Sequence, residues 1–357
     1  MRQEVVKNIR DTQYRQVTAR RYECKRCHQT MRVYPKGVGK QQISHRVLGI
    51  AIMLYVLGLS YGAVEIVMEA LCIFIGKTSV YRAVQAAAEK VPGMKREKLL
   101  DGHKTEAVGA DLTSVRCNGE WLTLGISVDP VNGITLSIDD LSGEDAEQMR
   151  QWLEPILNTV DADVLVTDDA DAFKNVADEI GLSQQVCKSH VVRNTEDLIK
   201  DLSALIQNED KQDQSLQAIG ITPEQALDDL STLNDLIHSR KPDDQSLVEQ
   251  LYDRYAQARK PRKGRYTIAY RMRNLFLDRW NLWPRLSFYR TWEDDYGNLI
   301  LDGTNNDCER TIGWAIKERY RTMRGYKRVQ SVLNVSRLIA FAVDQKSRGL
   351  HLATLIA

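Results

Sequence analysis

Three carboxylates of this sequence, Asp111, Asp168 and Glu309, are spaced and placed so that folding could pool their chemistry. Asp111 closes the short apolar run Ala107-Val-Gly-Ala, and Asp168 directly follows the buried-strand pattern Val164-Leu-Val-Thr167. Glu309 falls near the start of a predicted helix, after capping side chains at Thr304, Asn305 and Asn306 and with Asp307 in the first turn. Hard oxygen ligands of this kind suit two Mg²⁺ ions held about 4 Å apart, with Mn²⁺ able to substitute, which clamp the attacking and leaving oxygens of a phosphodiester. In that arrangement Asp111 bridges both ions, and Asp168 and Glu309 hold one each. Asp169 and Asp171 are rival acids in the same loop; Asp168 is preferred because it follows the strand run without a gap.

Cationic side chains cluster beside these acids. Arg310, Trp314, Lys317, Arg321 and Arg324 recur at steps of three or four and so share one helical face, with Lys327 just beyond. A basic stripe with an aromatic in it suits a phosphate backbone, whereas the plainer reading is a solvated helix face. Further upstream, residues 44–91 have helical periodicity. Ser44 caps a first helix to about Leu57, and a second ends near Phe74. After the turn Ile75-Gly76-Lys77, Thr78 or Ser79 caps a third helix bearing Arg82 and Gln85. That is the pattern of a helix-turn-helix whose recognition helix enters the major groove, with an ordinary helical hairpin as the alternative.

Charge distribution agrees with a polyanionic partner. The chain has 357 residues and a formal net charge of +1, yet residues 1–46 hold twelve Lys/Arg against three Asp/Glu. In the same basic segment, residues 15–34 read as two short strands around Cys24-Lys-Arg-Cys27-His28. Cys24 and Cys27 supply two of the four ligands that a structural Zn²⁺ needs, and no second CxxC follows. His28 or His45 is a candidate third ligand and an unmetallated turn is the plainer reading; the expectation that fits the half-motif better is a start truncated within a zinc ribbon. The six cysteines show no disulfide framework, and the longest apolar run, Val47–Leu59, is too short to span a bilayer. A cytoplasmic, nucleoid-associated protein with no membrane partner is expected.

The elements that must position the acids follow from the same patterning. After a linker around Pro92-Gly93-Met94, strands are predicted at 107–111, 121–128 and 134–138, then a helix at 144–157, a strand at 163–168, a helix at 172–180 and a strand at 184–187. A three-stranded meander followed by helix, strand, helix and strand is the order of the ribonuclease H-like fold, in which the first and fourth strands are neighbours. The expected class is therefore α/β, a ribonuclease H-like mixed sheet with a large all-α insertion. The expected divisions are a basic ribbon-like segment (1–43), a helix-turn-helix domain (44–98), a catalytic core (99–190 and 301–357) and the insertion (191–300). Trp280, Trp283 and Trp314 are expected in the core, with stacking on a flipped base as the sharper alternative.

Four segments, GAD111, TDDA, CKSHVVRN and TNNDCERTIGWAIKERYRTMRGYK, make the chain resemble bacterial insertion-sequence transposases of the DDE class, nearest the Mutator-like group. The resemblance implies catalytic acids at Asp111, Asp168 and Glu309 and a Cys-x-x-His element at Cys187 and His190, with a role in structure or DNA contact. It departs at Asp169, where many relatives have glycine, and at the single CxxC. It further implies Mg²⁺-dependent strand cleavage and strand transfer, double-stranded DNA (element ends and target) as partner, and a homodimer or larger assembly on that DNA. Two other readings are a catalytically silent, transposase-derived regulator and a ribonuclease H-fold nuclease.

Overall fold

The structure, a computed structural model, describes residues 2–208, 213–241, 244–294, 296–323 and 325–349. Its centre is a five-stranded mixed sheet. In chain order its strands are β4 (Ala107–Cys117), β5 (Glu120–Asp129), β6 (Ile134–Leu141), β7 (Val164–Thr167) and β8 (Ser183–Val186), following an N-terminal sheet of β1 (Arg2–Asn8), β2 (Gln16–Glu23) and β3 (Thr30–Val33). The spatial order β6-β5-β4-β7-β8 is the one the sequence patterning requires, with β4 parallel to β7 and antiparallel to β5. All four residues of β7 are buried, as expected of a strand covered on both faces.

Two helical layers cover this sheet. On one face lie α5 (Ala146–Val160) and α6 (Asp171–Ile180), whose Met149, Leu153, Phe173 and Val176 pack on Val108, Ala110 and Leu165. Trp152 of α5 lies flat on β5 because Gly125 has no side chain; a Cβ there would stand 2.7 Å from the indole. On the other face, α12 (Asn306–Thr311), a π-helical segment (Ile312–Lys317), α13 (Glu318–Met323) and α14 (Val329–Ser347) meet Leu124, Ile126 and Val128.

The N-terminal helices are α1 (His45–Val56), α2 (Tyr61–Ala70), α3 (Lys77–Ala88) and α4 (Val91–Lys98). Ser44 caps α1 as predicted, accepting from the Val47 N–H. The third helix departs from expectation: Gly76, not Thr78 or Ser79, is its N-cap and no side chain caps it. The expected linker at Pro92 is instead helical, with proline in the first turn, where its missing N–H leaves no bond unmade. Val47, Tyr55, Met68, Val80 and Val84 share one apolar cluster with Ile316, Val332 and Leu338, so packing is continuous across residue 98.

Between β8 and α12 the chain forms α7 (Lys188–Gln207), α8 (Ser215–Ala218), α9 (Pro223–His238), α10 (Gln245–Tyr255) and α11 (Ile268–Leu286). These helices enclose a core of their own, including Leu230, Ile237, Leu251, Phe276 and Trp283. Asp229 is buried within it, accepting from the Tyr255 hydroxyl and pairing with Arg254. Among the described residues, no helix is long and apolar enough to cross a membrane.

One contact decides how α12 meets the sheet. A Cβ on Gly109 would lie 2.8 Å from Asn305 Oδ1 and 3.3 Å from Cys308 Sγ. Gly109→Ala is therefore expected to lower stability by about 1–3 kcal/mol in urea titrations, the usual cost of overpacking. Gly49→Ala, in the middle of α1 with nothing within 4 Å, should instead stabilise by up to about 1 kcal/mol. Equal effects at the two positions would remove the close seat as the cause.

Candidate active site

The parallel pairing of β4 with β7 runs from Ala107↔Val164 to Gly109↔Val166 and then stops. Beyond it, β7 ends at Thr167 and delivers Asp168 into the turn before α6, where its Oδ1 accepts from the Ala170 N–H at 3.1 Å. Asp111 stands just past the last paired position of β4. It does not end that strand, as the sequence reading expected, because antiparallel pairing with β5 carries β4 on to Cys117. The two aspartates thus flank the point where neighbouring parallel strands part, a usual place for ligand sites in mixed sheets.

Glu309 arrives from the other side on α12. Asn305 donates from Nδ2 to the Ala110 carbonyl at 2.8 Å and from its backbone N–H to Cys187 Sγ at 3.3 Å. Asn305 is the N-cap residue, yet its side chain makes no cap bond: Nδ2 is donated to β4 and Oδ1 is turned toward Gly109. With Cys308 buried against Gly109, the next residue, Glu309, is left exposed over the site. Its Oε1 lies 3.5 Å from His190 Nε2. Cys187, the N-cap of α7, continues the β7–β8 pairing by donating its N–H to the Thr167 carbonyl at 2.6 Å.

The electrostatics are those of a site short of positive charge. Asp111 is pushed up to about 6, first by burial and then by the charges of Asp168 and Glu309, with the Leu112 N–H and His190 opposing. Burial likewise raises the Cys187 thiol, against hydrogen bonds from the His190, Asn305 and Ser189 backbones. Among the described residues, the one group of three ligating side chains whose donor atoms all lie within 4.8 Å of one another is Cys187, His190 and Glu309. Asp111 and Asp168 offer hard oxygens beside it, a donor set that fits Mg²⁺.

The rival acids turn elsewhere. Asp169 and Asp171 both pair with Lys174, at 2.7 and 3.2 Å, on the flank lined by Arg279 and Arg285. Of the basic stripe, Arg310, Lys317 and Arg321 are exposed, Arg310 pairing with Asp307 at 3.2 Å, and Lys327 is exposed in the loop that follows. Trp314 is not on that face. A π turn holds more residues than an α turn, so Gly313 takes the exposed position and Trp314 packs on the core. Arg324 lies outside the described residues.

On α3, Arg82 is exposed, but Gln85 is committed inward: its Oε1 accepts from Asn334 Nδ2 of α14 at 2.9 Å. Cys24 and Cys27 are exposed with no third ligand in reach among the described residues, and His28 pairs with Glu23 at 2.9 Å. Hydrogen bonds from the Cys27 and Arg26 backbones hold the Cys24 thiol below its usual range. Gly109 and Asn305 were not singled out as site residues from sequence; the only signals were the glycine in GAD111 and the paired asparagines before Asp307.

No protein-family model and no curated protein matches this sequence. Among solved structures, the catalytic core domain of BIV integrase aligns at 17% identity over 35% of this chain and 79% of its own, with a TM-score of 0.20. The HTLV-2 integrase catalytic core domain, in complex with magnesium, aligns at 16% identity over 36% and 83%, with a TM-score of 0.21. The catalytic domain of Mos1 mariner transposase aligns at 11% identity over 56% and 88%, with a TM-score of 0.19. Likenesses of this strength carry no inference about the chain, whose fold and chemistry stand on its own strand order and side chains.

The raised Asp111 carboxyl makes stability depend on pH. Below about pH 4 it is protonated in both folded and unfolded chains and contributes nothing. From there to about pH 6 the folded chain keeps a proton that the unfolded chain loses, so stability falls as pH rises, and above about 6 the cost is complete. Asp111→Asn should therefore be more stable than the parent by about 1–3 kcal/mol above pH 6, with the difference vanishing near pH 4. Mg²⁺ should raise the melting temperature of the parent and not that of the variant. Parallel pH curves for the two proteins would show that Asp111 is not desolvated.

Proposed function

We propose that this protein is a DNA transposase of the DDE class, resembling the Mutator-like insertion-sequence group, which cleaves and joins DNA strands at element ends. The observation that supports the reading is that Asp111, Asp168 and Glu309 come from two neighbouring parallel strands and one helix, and that the charges of Asp168 and Glu309 add to burial in raising Asp111 to about 6. Carboxylates that feel one another in this way favour a bound cation. In this reading Asp111 would hold two Mg²⁺ ions and Asp168 and Glu309 one each; such ions would activate the attacking oxygen and steady the leaving one.

The chain's own residues do the rest. The Ala170 N–H fixes the Asp168 carboxylate, and Asn305 fixes α12 on β4, so that Glu309 reaches the aspartates from a rigid element. Arg310, Lys317, Arg321 and Lys327 give the DNA backbone a cationic track leading from that carboxylate, and exposed Arg82 on α3 is the side chain best placed for a base edge. Helix α7, which leads from the core into the insertion, supplies a wall of the site through Cys187 at its N-cap and His190 in its first turn. Duplex element ends and target are the proposed partners, engaged by a dimer or larger assembly.

Asp111→Ala, Asp168→Ala and Glu309→Ala should each abolish Mg²⁺-dependent cleavage of an element-end duplex while leaving its binding intact. Cleavage retained by any of the three removes that residue from the site. Arg321→Ala should weaken cognate and random duplex equally and lower the salt slope by about one unit. Pairing of Arg321 with the acidic insertion, around Asp228 and Asp229, would predict a lower melting temperature and an unchanged salt slope instead; Asp229 already pairs with Arg254 and Tyr255.

A further inference from the structure

Cys187 and His190 take no part in the reaction proposed above, yet they face one of its ligands. Their i, i+3 spacing at the start of α7 puts both on the same side of the helix. With Glu309 they offer one sulfur, one nitrogen and one oxygen, all within 4.8 Å of one another. His190 Nε2 and Glu309 Oε1 are 3.5 Å apart; two ligands about 2.0–2.2 Å from a tetrahedral zinc stand about 3.4 Å apart. His190 Nδ1 is buried and has no hydrogen-bond partner among the described residues, so no bond at that nitrogen fixes the ring tautomer and Nε2, facing Glu309, is the ligand nitrogen. His190 and Glu309 are each about two-fifths exposed, leaving an entry path, while Cys187 forms the buried floor.

This donor set differs in kind from the carboxylates beside it. Thiolate and imidazole favour borderline-soft ions such as Zn²⁺ and Co²⁺, whereas Mg²⁺ takes oxygen. The two sets share Glu309, whose Oε1 is turned toward His190, so an ion held there competes with the Mg²⁺ site for this carboxylate. We propose that Cys187, His190 and Glu309 form a second divalent-metal site, selective for zinc-like ions, and that filling it withdraws Glu309 from the Mg²⁺ site and arrests strand cleavage. Binding forms a metal–sulfur bond, breaks the Cys187 S–H bond and releases that proton to solvent; no electrons change hands. The site itself stands on the side chains alone, while the arrest rests on the function proposed for Glu309.

The test uses the full chain carrying Cys24→Ser, Cys27→Ser and Cys72→Ser, so that the exposed thiols cannot compete. Titration with Co²⁺ should give the near-ultraviolet thiolate-to-cobalt band at about one equivalent, and Zn²⁺ should displace it. Adding Cys187→Ser should abolish the band, and His190→Gln, at a half-exposed side chain, should weaken Co²⁺ affinity at least about tenfold. No band in the starting protein, or an unchanged band in Cys187→Ser, overturns the site. Should Cys187→Ser fail to fold, unchanged affinity in His190→Gln overturns it equally. At fixed Mg²⁺, Zn²⁺ should inhibit cleavage, and about tenfold more should be needed in His190→Gln relative to that variant's own rate. Cobalt binding without zinc inhibition overturns the arrest. Absence of cleavage under every condition refutes the transposase reading, while the cobalt titration still decides the site.

Discussion

The seat of α12 on β4 is the contact on which the candidate site depends. It requires a strand position with no side chain, Gly109, under a helix start whose asparagine can donate to a strand carbonyl. A hydrogen bond across a buried boundary of this kind is worth little net when made and much more when broken, because the partners left behind are desolvated. Asn305 bonds at once to Ala110 and Cys187, so it ties β4, the start of α7 and α12 to one point. The position of Glu309, four residues on, follows from that attachment.

Much of this was legible in the chain before any coordinates. The sheet could be read because its strands are apolar runs punctuated by turns and acids, and because β7 is apolar throughout, as a doubly covered strand must be. Asp111 and Asp168 could be positioned for the same reason, one closing and one following such a run, whereas Glu309 was positioned by the capping residues before it. What escaped was set by partners distant in sequence. Asp111 looks terminal because the apolar run ends there, yet β4 continues on bonds to β5 that local pattern does not encode. Asn305 looks like a cap, but its bond goes 195 positions back along the chain. Gln85 looks free on an exposed helix, and it is α14, nearly 250 positions later, that claims it.

The N-terminal helices illustrate a further constraint. Arg319 of α13 is buried, donates to the Leu59 carbonyl at 2.8 Å and lies 3.8 Å over the Tyr55 ring. A buried guanidinium is costly unless it is both bonded and stacked, so this arrangement persists only while α1 and α13 hold their relative places. The helix carrying Glu309 is therefore pinned at its far end to the segment that presents Arg82.

That double anchoring gives the π-helical segment its meaning. One end of the helix is registered on β4 through Asn305 and Cys308, the other on the turn between α1 and α2 through Arg319. Two registers set by unrelated neighbours need not differ by a whole number of α turns. Ile312–Lys317 takes up the remainder, as a spacer shim does between two fixed flanges. A helix built this way can absorb a single-residue change in length between its anchors without moving either, so natural variation in length should gather in those six positions rather than beside Glu309 or Arg319.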